Sequence, residues 1–445
     1  MYLKLSIRNA KRSIVDYLLY IATMVILLSI MEVSNCIAII GNMQAGFQTV
    51  SLPILITIIL VILVGYIDTF MLKQRAKEFA NYLLLGMEKN ELSFVFLCEF
   101  FIIGIVCFVI GAMIGLITFM VLSATVLPKA DETKILLFGK SLLHTFFYFC
   151  LAEGMCSFRI KCNMDKLQIR ELIYEKDRNQ NIKNSNSYKR WGYVFSVNFL
   201  CFIGILCGIV FLPEQIAFPT ISVISIPLLC LIFAFYKYIM GYLYAIRQKQ
   251  FSFLYHKNRL YMTAQITAGL KTNAVFNSVF CICLLFSAVS FFFGALMFQS
   301  SVKIFDVDKQ QWMGFVQISL CIIFIVIYFS ILSLQQIIEL RREAKSIKVL
   351  YYVGKSGKQV KELIKTQIAI QLLLPMVLTF FILLVSVPLV NLKLNMILPN
   401  IMHNMLLSFA VWFAICFILF YFCYFFIVYT ISKRYISRYV DSGDL

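Results

Sequence analysis

The chain has 445 residues, 61% of them hydrophobic and 14% charged, with a mean hydropathy of +0.86. A soluble domain carries about a quarter charged residues, so these proportions exclude a soluble enzyme or binding module and indicate a polytopic membrane protein. The formal charge of +18 would suit a nucleic-acid binder, but its distribution assigns it to membrane topology instead.

Runs of about 20 apolar residues mark helical spans. Ten are predicted, over 14–34, 52–72, 93–122, 135–158, 192–212, 216–240, 275–297, 314–334, 368–390 and 405–430. The runs are continuous rather than alternating, which argues for helices and against a closed barrel. The fold class expected is therefore an all-α integral membrane protein. The first run is too long for a cleaved signal peptide, and no small-residue cleavage site follows it. With a cytoplasmic N-terminus, 34 of the 40 Lys and Arg residues fall on inner segments or, for Lys237, at the inner end of a span. The other six are Lys129, Lys134, Lys140, Lys303, Lys309 and Lys393. This asymmetry predicts a multi-pass cell-membrane protein with both termini cytoplasmic. The basic excess then meets anionic lipid headgroups and a cytoplasmic partner, not nucleic acid.

In chain order, residues 1–158 make a first four-span unit, 159–191 a cytoplasmic linker, 192–250 a central pair and 251–445 a second four-span unit. Each four-span unit opens with a basic amphipathic stretch, "LKLSIRNAKRS" or "LYMTAQITAGLKTNA", of the kind that lies along a membrane interface. The linker ends in an Asn/Lys/Ser-rich tether from Asn179 to Ser187. The outer gaps at 41–51, 212–215, 298–313 and 391–404 are too short to bury a core, since small domains need about 40 residues.

Between the second and third spans of the first unit runs "RAKEFANYLLLGMEKNEL", and the second unit has "REAKSIKVLYYVGKSGKQV" in the same place. Gly86 aligns with Gly354, 268 residues on. Phe79, Tyr82, Leu83 and Met87 recur at helical spacing and predict one apolar stripe, matched by Ile347, Leu350, Tyr351 and Gly354. Gly86 and Gly354 are placed to end the short helix in the left-handed conformation. Ser356 with Gln359 has capping-box spacing, and Glu91 repeats the second element. The expected product is a lever, a short helix and a sharp turn rigidly joined to the next span, with an apolar-aromatic knob for a partner to bury.

"RAKEFANYLLLGMEKNELSFVFLCEF" resembles the signature of FtsX-like ABC transporter permeases, with Lys77, Glu78, Gly86, Lys89, Leu92 and Glu99 at its defining places. In the second copy Ser346 replaces the first acid and Gln367 the last. The 4+2+4 layout is similar to the bacitracin-resistance (BceB-like) subfamily, without that group's large extracellular domain. The resemblance implies a permease paired with a separate cytoplasmic ATPase dimer, which holds the ATP and Mg while this chain has no cofactor and is not itself an enzyme. It implies that Glu78, Phe79, Tyr82, Leu83, Gly86, Glu91, Ile347, Leu350, Tyr351, Gly354 and Gln359 form coupling helices seated on the ATPases. It also implies movement or extraction of an amphiphilic substrate: a lipid, a lipid-linked precursor or an antimicrobial peptide, in the last case as peptide resistance. The alternative is a sensory module that relays ATPase state to a partner histidine kinase without moving cargo.

Other signals carry less. Gly139-Lys140-Ser141 and Gly354-Lys355-Ser356 read as phosphate-loop ends, but Lys134 and Val349 stand where the motif requires glycine. The three histidines, His144, His256 and His403, form no metal motif. The fourteen cysteines contain no C-x-x-C pair and read as small apolar residues. A lipid-modifying enzyme would need polar groups converging at one depth, which the sequence does not announce. Asp16, Glu32, Asp68 and Glu153 are expected at span ends, near the interface. Lys140 and His144, four residues apart near the outer end of the fourth span, are the candidate contact for an anionic headgroup or pyrophosphate. Pro219, Pro227, Pro375 and Pro388 are expected to kink their helices.

Overall fold

The computed structural model describes residues 14–45, 57, 58, 61, 64, 65, 75–126, 131–166, 187–211, 224–249, 259–299, 307–352, 354, 357–397 and 404–441. All the regular structure among them is helical: α1 Ile14–Ala45, α2 Ala76–Leu84, α3 Lys89–Val126, α4 Asp131–Lys166, α5 Ser187–Phe211, α6 Ser225–Lys249, α7 Arg259–Met297, α8 Val307–Tyr352, α9 Gly357–Ile397 and α10 Met405–Asp441. Seven of these, α3 and α5 to α10, are long and apolar enough to cross a membrane, and α1 contributes a shorter apolar stretch, Met24–Cys36. The span expected at 135–158 lies inside α4, which is fully helical but diluted by Lys140, His144 and Glu153. Most of the span expected at 52–72, the stretch "LKLSIRNAKRS" and the tether before Ser187 lie outside the described residues.

The chain divides into two compact units, Met1–Asn181 and Ile182–Leu445. In the first, α1 packs on α3 and α4, α3 on α4, and the short α2 on α3. In the second, α7 is the hub, touching α6, α8, α9 and α10, while α5 and α6 pair with each other and α5 reaches α9.

Lipid is as apolar as leucine, so contacts between these helices depend on close packing rather than on escape from water. Small residues therefore matter at the seams. A Cβ at Gly115 of α3 would stand 2.5 Å from Glu32 Cγ of α1, and one at Gly294 of α7 would stand 2.8 Å from Ile318 Cδ1 of α8. Aromatic rings fill the wider gaps. Tyr328 of α8 is fully buried edge-on to Phe280 and Phe417, with ring centroids 5.6 and 5.7 Å away. Each such pair adds about 0.5–1.5 kcal/mol beyond area burial.

Two helices differ from the expected layout. The basic stretch "LYMTAQITAGLKTNA" is not a separate interfacial helix, because α7 runs unbroken for 39 residues from Arg259. α8 is likewise one helix of 46 residues, about 69 Å long at 1.5 Å per residue, against a hydrocarbon core of about 30 Å. Its last turns therefore stand well clear of the apolar window that ends at Ser333. The same helix begins at Val307, which leaves only 298–306 between it and the end of α7. Pro375 and Pro388 lie within α9. Pro227 sits in the first turn of α6, where its missing N–H costs nothing.

Candidate functional site

The first lever is built from a left-handed glycine and a buried ion pair. α2 ends at Leu84, and Gly86 has φ +94°. The Gly86 N–H donates to the Leu83 carbonyl at 3.2 Å and the Met87 N–H to the Tyr82 carbonyl at 3.1 Å. These two bonds are a Schellman cap, which satisfies carbonyls that the helix end would leave orphaned. α3 starts three residues later, and Glu91 reaches back to accept from the Glu88 N–H at 3.3 Å. That is the returning half of a capping box. A Cβ at Gly86 would meet nothing within 4 Å, so glycine is needed there for its backbone conformation alone.

Arg75 fixes the lever to the membrane helix. Its Nη1 donates to both carboxylate oxygens of Glu99 on α3, at 2.8 and 2.9 Å, and its Nε donates to Glu78 at 2.9 Å. Arg75 and Glu99 are 6% and 1% exposed. The guanidinium also lies 5.4 Å over the Phe79 ring, and Phe79 meets Phe96 edge-on at 5.2 Å. One cation thus joins the start of α2, its first-turn acid and the body of α3. Removing Arg75 takes this guanidinium from the buried Glu99 carboxylate, and breaking a buried pair in this way costs about 3–5 kcal/mol; removing Glu99 leaves Arg75 its bond to Glu78.

This packing corrects the expected knob. Phe79 is buried against Phe96 of α3. Tyr82 and Leu83 are half-buried. The apolar residues that project are Leu84 and Leu85, 65% and 84% exposed, beside the exposed Glu88, Lys89 and Asn90. An apolar stripe at helical spacing is the face a helix turns toward its own core, so the projecting residues are those that break the stripe.

The second lever repeats the backbone. Gly354 has φ +98°, and Ile347, Val360, Leu363, Ile364 and Ile368 are buried where Phe79, Leu92, Val95, Phe96 and Phe100 are buried in the first copy. Leu350 is half-buried and Gln359 exposed. Tyr351 is the penultimate residue of α8, and Tyr352, the equivalent of Leu84, is 65% exposed. This lever is not a separate short helix, because α8 continues into it without a break. Its root is also different. Gln367, in the place of Glu99, is buried, and on α8 Gln335 donates to Glu339 Oε1 at 3.2 Å.

Away from the levers, Lys140 and His144 are both exposed on α4, and His144 Nδ1 lies 2.7 Å from the Lys140 carbonyl oxygen. The neighbouring face of α4 carries a polar cluster that sequence reasoning placed at the interface. Glu32 is fully buried, with one carboxylate oxygen bonded to Ser141. Cys36 Sγ is 3.0 Å from Ser141 Oγ, and Asn35 donates to Thr145 at 2.8 Å. Gly115 is what lets the Glu32 stem lie against α3. Glu153 is buried too, beside Gly104. Among the described residues, no three His, Cys, Asp or Glu side chains gather to hold a metal.

Residues 50–157 match the family model described as "FtsX-like permease C-terminal". That match spans the first lever, the ion pair and most of α4. No curated protein matches the chain. Over those residues the chain is similar to FtsX-like permeases, and its seven long apolar helices are those of a multi-pass membrane protein.

Proposed function

We propose that this chain couples a separate cytoplasmic ATPase dimer, which binds the ATP and Mg, to movement or extraction of an amphiphilic substrate. The observation that carries the reading is the pair Leu84 and Leu85, projecting from a helix end whose other face is pinned by Arg75 and Glu99. Two exposed leucines beside a charged turn gain by burial in a partner cleft, and about 1.5–3 kcal/mol follows from each. Gly86 and Glu91 set the angle at which a push on α2 enters α3. Tyr82 and Leu83 flank the contact, and Leu350, Tyr351 and Tyr352 make its counterpart in the second unit. Phe79 and Ile347 support the levers from within.

The levers face the cytoplasm in this reading, which agrees with the Lys and Arg distribution and puts both termini inside. Lipids or membrane-bound peptides suit the short segments between spans, such as 298–306. Lys140 and His144, exposed and one turn apart, suit an anionic headgroup. The test is co-purification of the ATPase with a Leu84→Asp/Leu85→Asp variant. Loss of the ATPase from a permease that still reaches the membrane is the expected result, because an unpaired carboxylate in an apolar cleft costs several kcal/mol. Unchanged co-purification would contradict the docking role.

A further inference from the structure

Between α1, α3 and α4 lies a carboxyl that the first lever does not use. Glu32 of α1 is fully buried and falls within the apolar stretch Met24–Cys36. We propose that it is an intramembrane proton-binding site, with the proton held on Oε1 and exchanged only when α1 and α3 part.

The count of hydrogen-bond donors argues for it. An ionised carboxylate only accepts, at about four sites. Glu32 Oε1 meets the Ser141 hydroxyl and lies 3.8 Å from Cys36 Sγ, while Oε2 is buried with no hydrogen-bond partner. Among the described residues no Lys, Arg or His forms an ion pair with Glu32. Lys140 and His144 are exposed on α4. Where α3 meets α1, between Gly111 and Gly115, its residues are Ala, Met and Ile, none of them titratable. Thr57, from the segment between α1 and α2, bonds to Met31 Sδ at 3.9 Å. A buried carboxylate without a countercharge costs far more than the neutral acid, so such a group takes up a proton.

The surrounding groups fix where the proton sits. On Oε2 it would find no acceptor. On Oε1 it points at Ser141 Oγ, which accepts it. The Ser141 hydroxyl then turns to Cys36 Sγ, 3.0 Å away, or to the Glu32 carbonyl at 3.4 Å. Thr145 donates to the Ser141 carbonyl at 3.0 Å and accepts from Asn35 at 2.8 Å. Each hydroxyl hydrogen has an acceptor, and only the neutral Oε2 carbonyl is left without a bond. α3 forms the wall of the site, since a Cβ at Gly115 would stand 2.5 Å from Glu32 Cγ and one at Gly111 2.9 Å from Leu28 Cβ. When that seam opens, water reaches the carboxyl. The O–H bond breaks, its electron pair stays on Oε1 and the proton passes to the water. The first lever joins the other end of α3, so a shift of that helix moves the wall of the site.

The site lies wholly in the first unit, and its test does not involve the ATPase. Full-length chain in nanodiscs at neutral pH is compared with Glu32→Gln by infrared difference spectroscopy. The expected result is the carbonyl band of a protonated carboxylic acid, present in the unmodified chain and lost in the variant. It should fall at the high-frequency end of its range, because Oε2 accepts no hydrogen bond. Carboxylate bands in its place would overturn the proposal. If Glu32→Gln does not fold, the unmodified chain labelled with heavy carbon at its glutamate carboxyls decides, and the absence of an isotope-shifted acid band would overturn it. After transfer to heavy water the acid band should shift about tenfold or more faster in Gly115→Ala, whose seam is forced apart, than in the unmodified chain. Gly111→Ala serves if Gly115→Ala does not fold. Equal exchange rates would overturn control of the proton by the α1–α3 seam.

Discussion

The two levers share a backbone and differ at the root. Both turn on a left-handed glycine, and both bury the same side of the helix that follows. The first is pinned by a guanidinium held between Glu78 and Glu99, while the second has Gln367 in the place of Glu99 and a glutamine-rich cluster with Glu339 nearby. The first is a short helix of nine residues, and the second is the tail of a 46-residue helix. A short helix has little of its own to hold its angle and takes it from a strong ion pair. A continuous helix inherits its direction from the membrane span and can spare the charge. The two segments share the turn and differ in the fastening.

Breaking the ion pair should separate the two copies most clearly. Arg75→Ala, which takes the guanidinium from the buried Glu99 carboxylate, is expected to loosen α2 by about 3–5 kcal/mol, read as faster hydrogen exchange over 76–92, and Glu99→Ala by less, because Arg75 keeps Glu78. Gln367→Ala removes a neutral buried amide and should cost about 1–3 kcal/mol, read over 347–368. Equal effects in both copies would break the distinction. The glycines should instead behave alike. Alanine at Gly86 or Gly354 meets no steric neighbour but must adopt a left-handed backbone, at about 1–2 kcal/mol in each copy, measurable by thermal unfolding. The smallest difference should be at the caps: Glu91→Ala costs about 1 kcal/mol through the lost bond to the Glu88 N–H.

Much of this was legible in the chain. The glycine turns, the capping acid and the helical class follow from local rules, because each depends on residues within one or two turns. The exposed face was not legible. Phe79, Tyr82, Leu83 and Met87 form the apolar stripe, and a stripe alone does not say whether it faces the protein or a partner. The packing of Phe79 on Phe96 settles that side, and Leu84 and Leu85 emerge only by difference. The Arg75–Glu99 pair spans 24 residues, beyond any helical period. Its one signal was an acid, Glu99, amid an apolar run. Glu32 and Glu153 looked like interface residues because sequence distance from a span end does not reveal that Gly115 and Gly104 admit them to the interior.

The central claim is that the exposed end of the first lever is a docking surface held in place from behind. Cysteine accessibility at position 85 tests it most directly, in a Leu85→Cys chain whose own fourteen cysteines have been replaced. Without the ATPase, a water-soluble maleimide should label that position quickly. With the ATPase bound, labelling should fall to background, and an added Glu99→Ala change should restore it by weakening the complex. Unaltered labelling in the presence of bound ATPase would contradict the account.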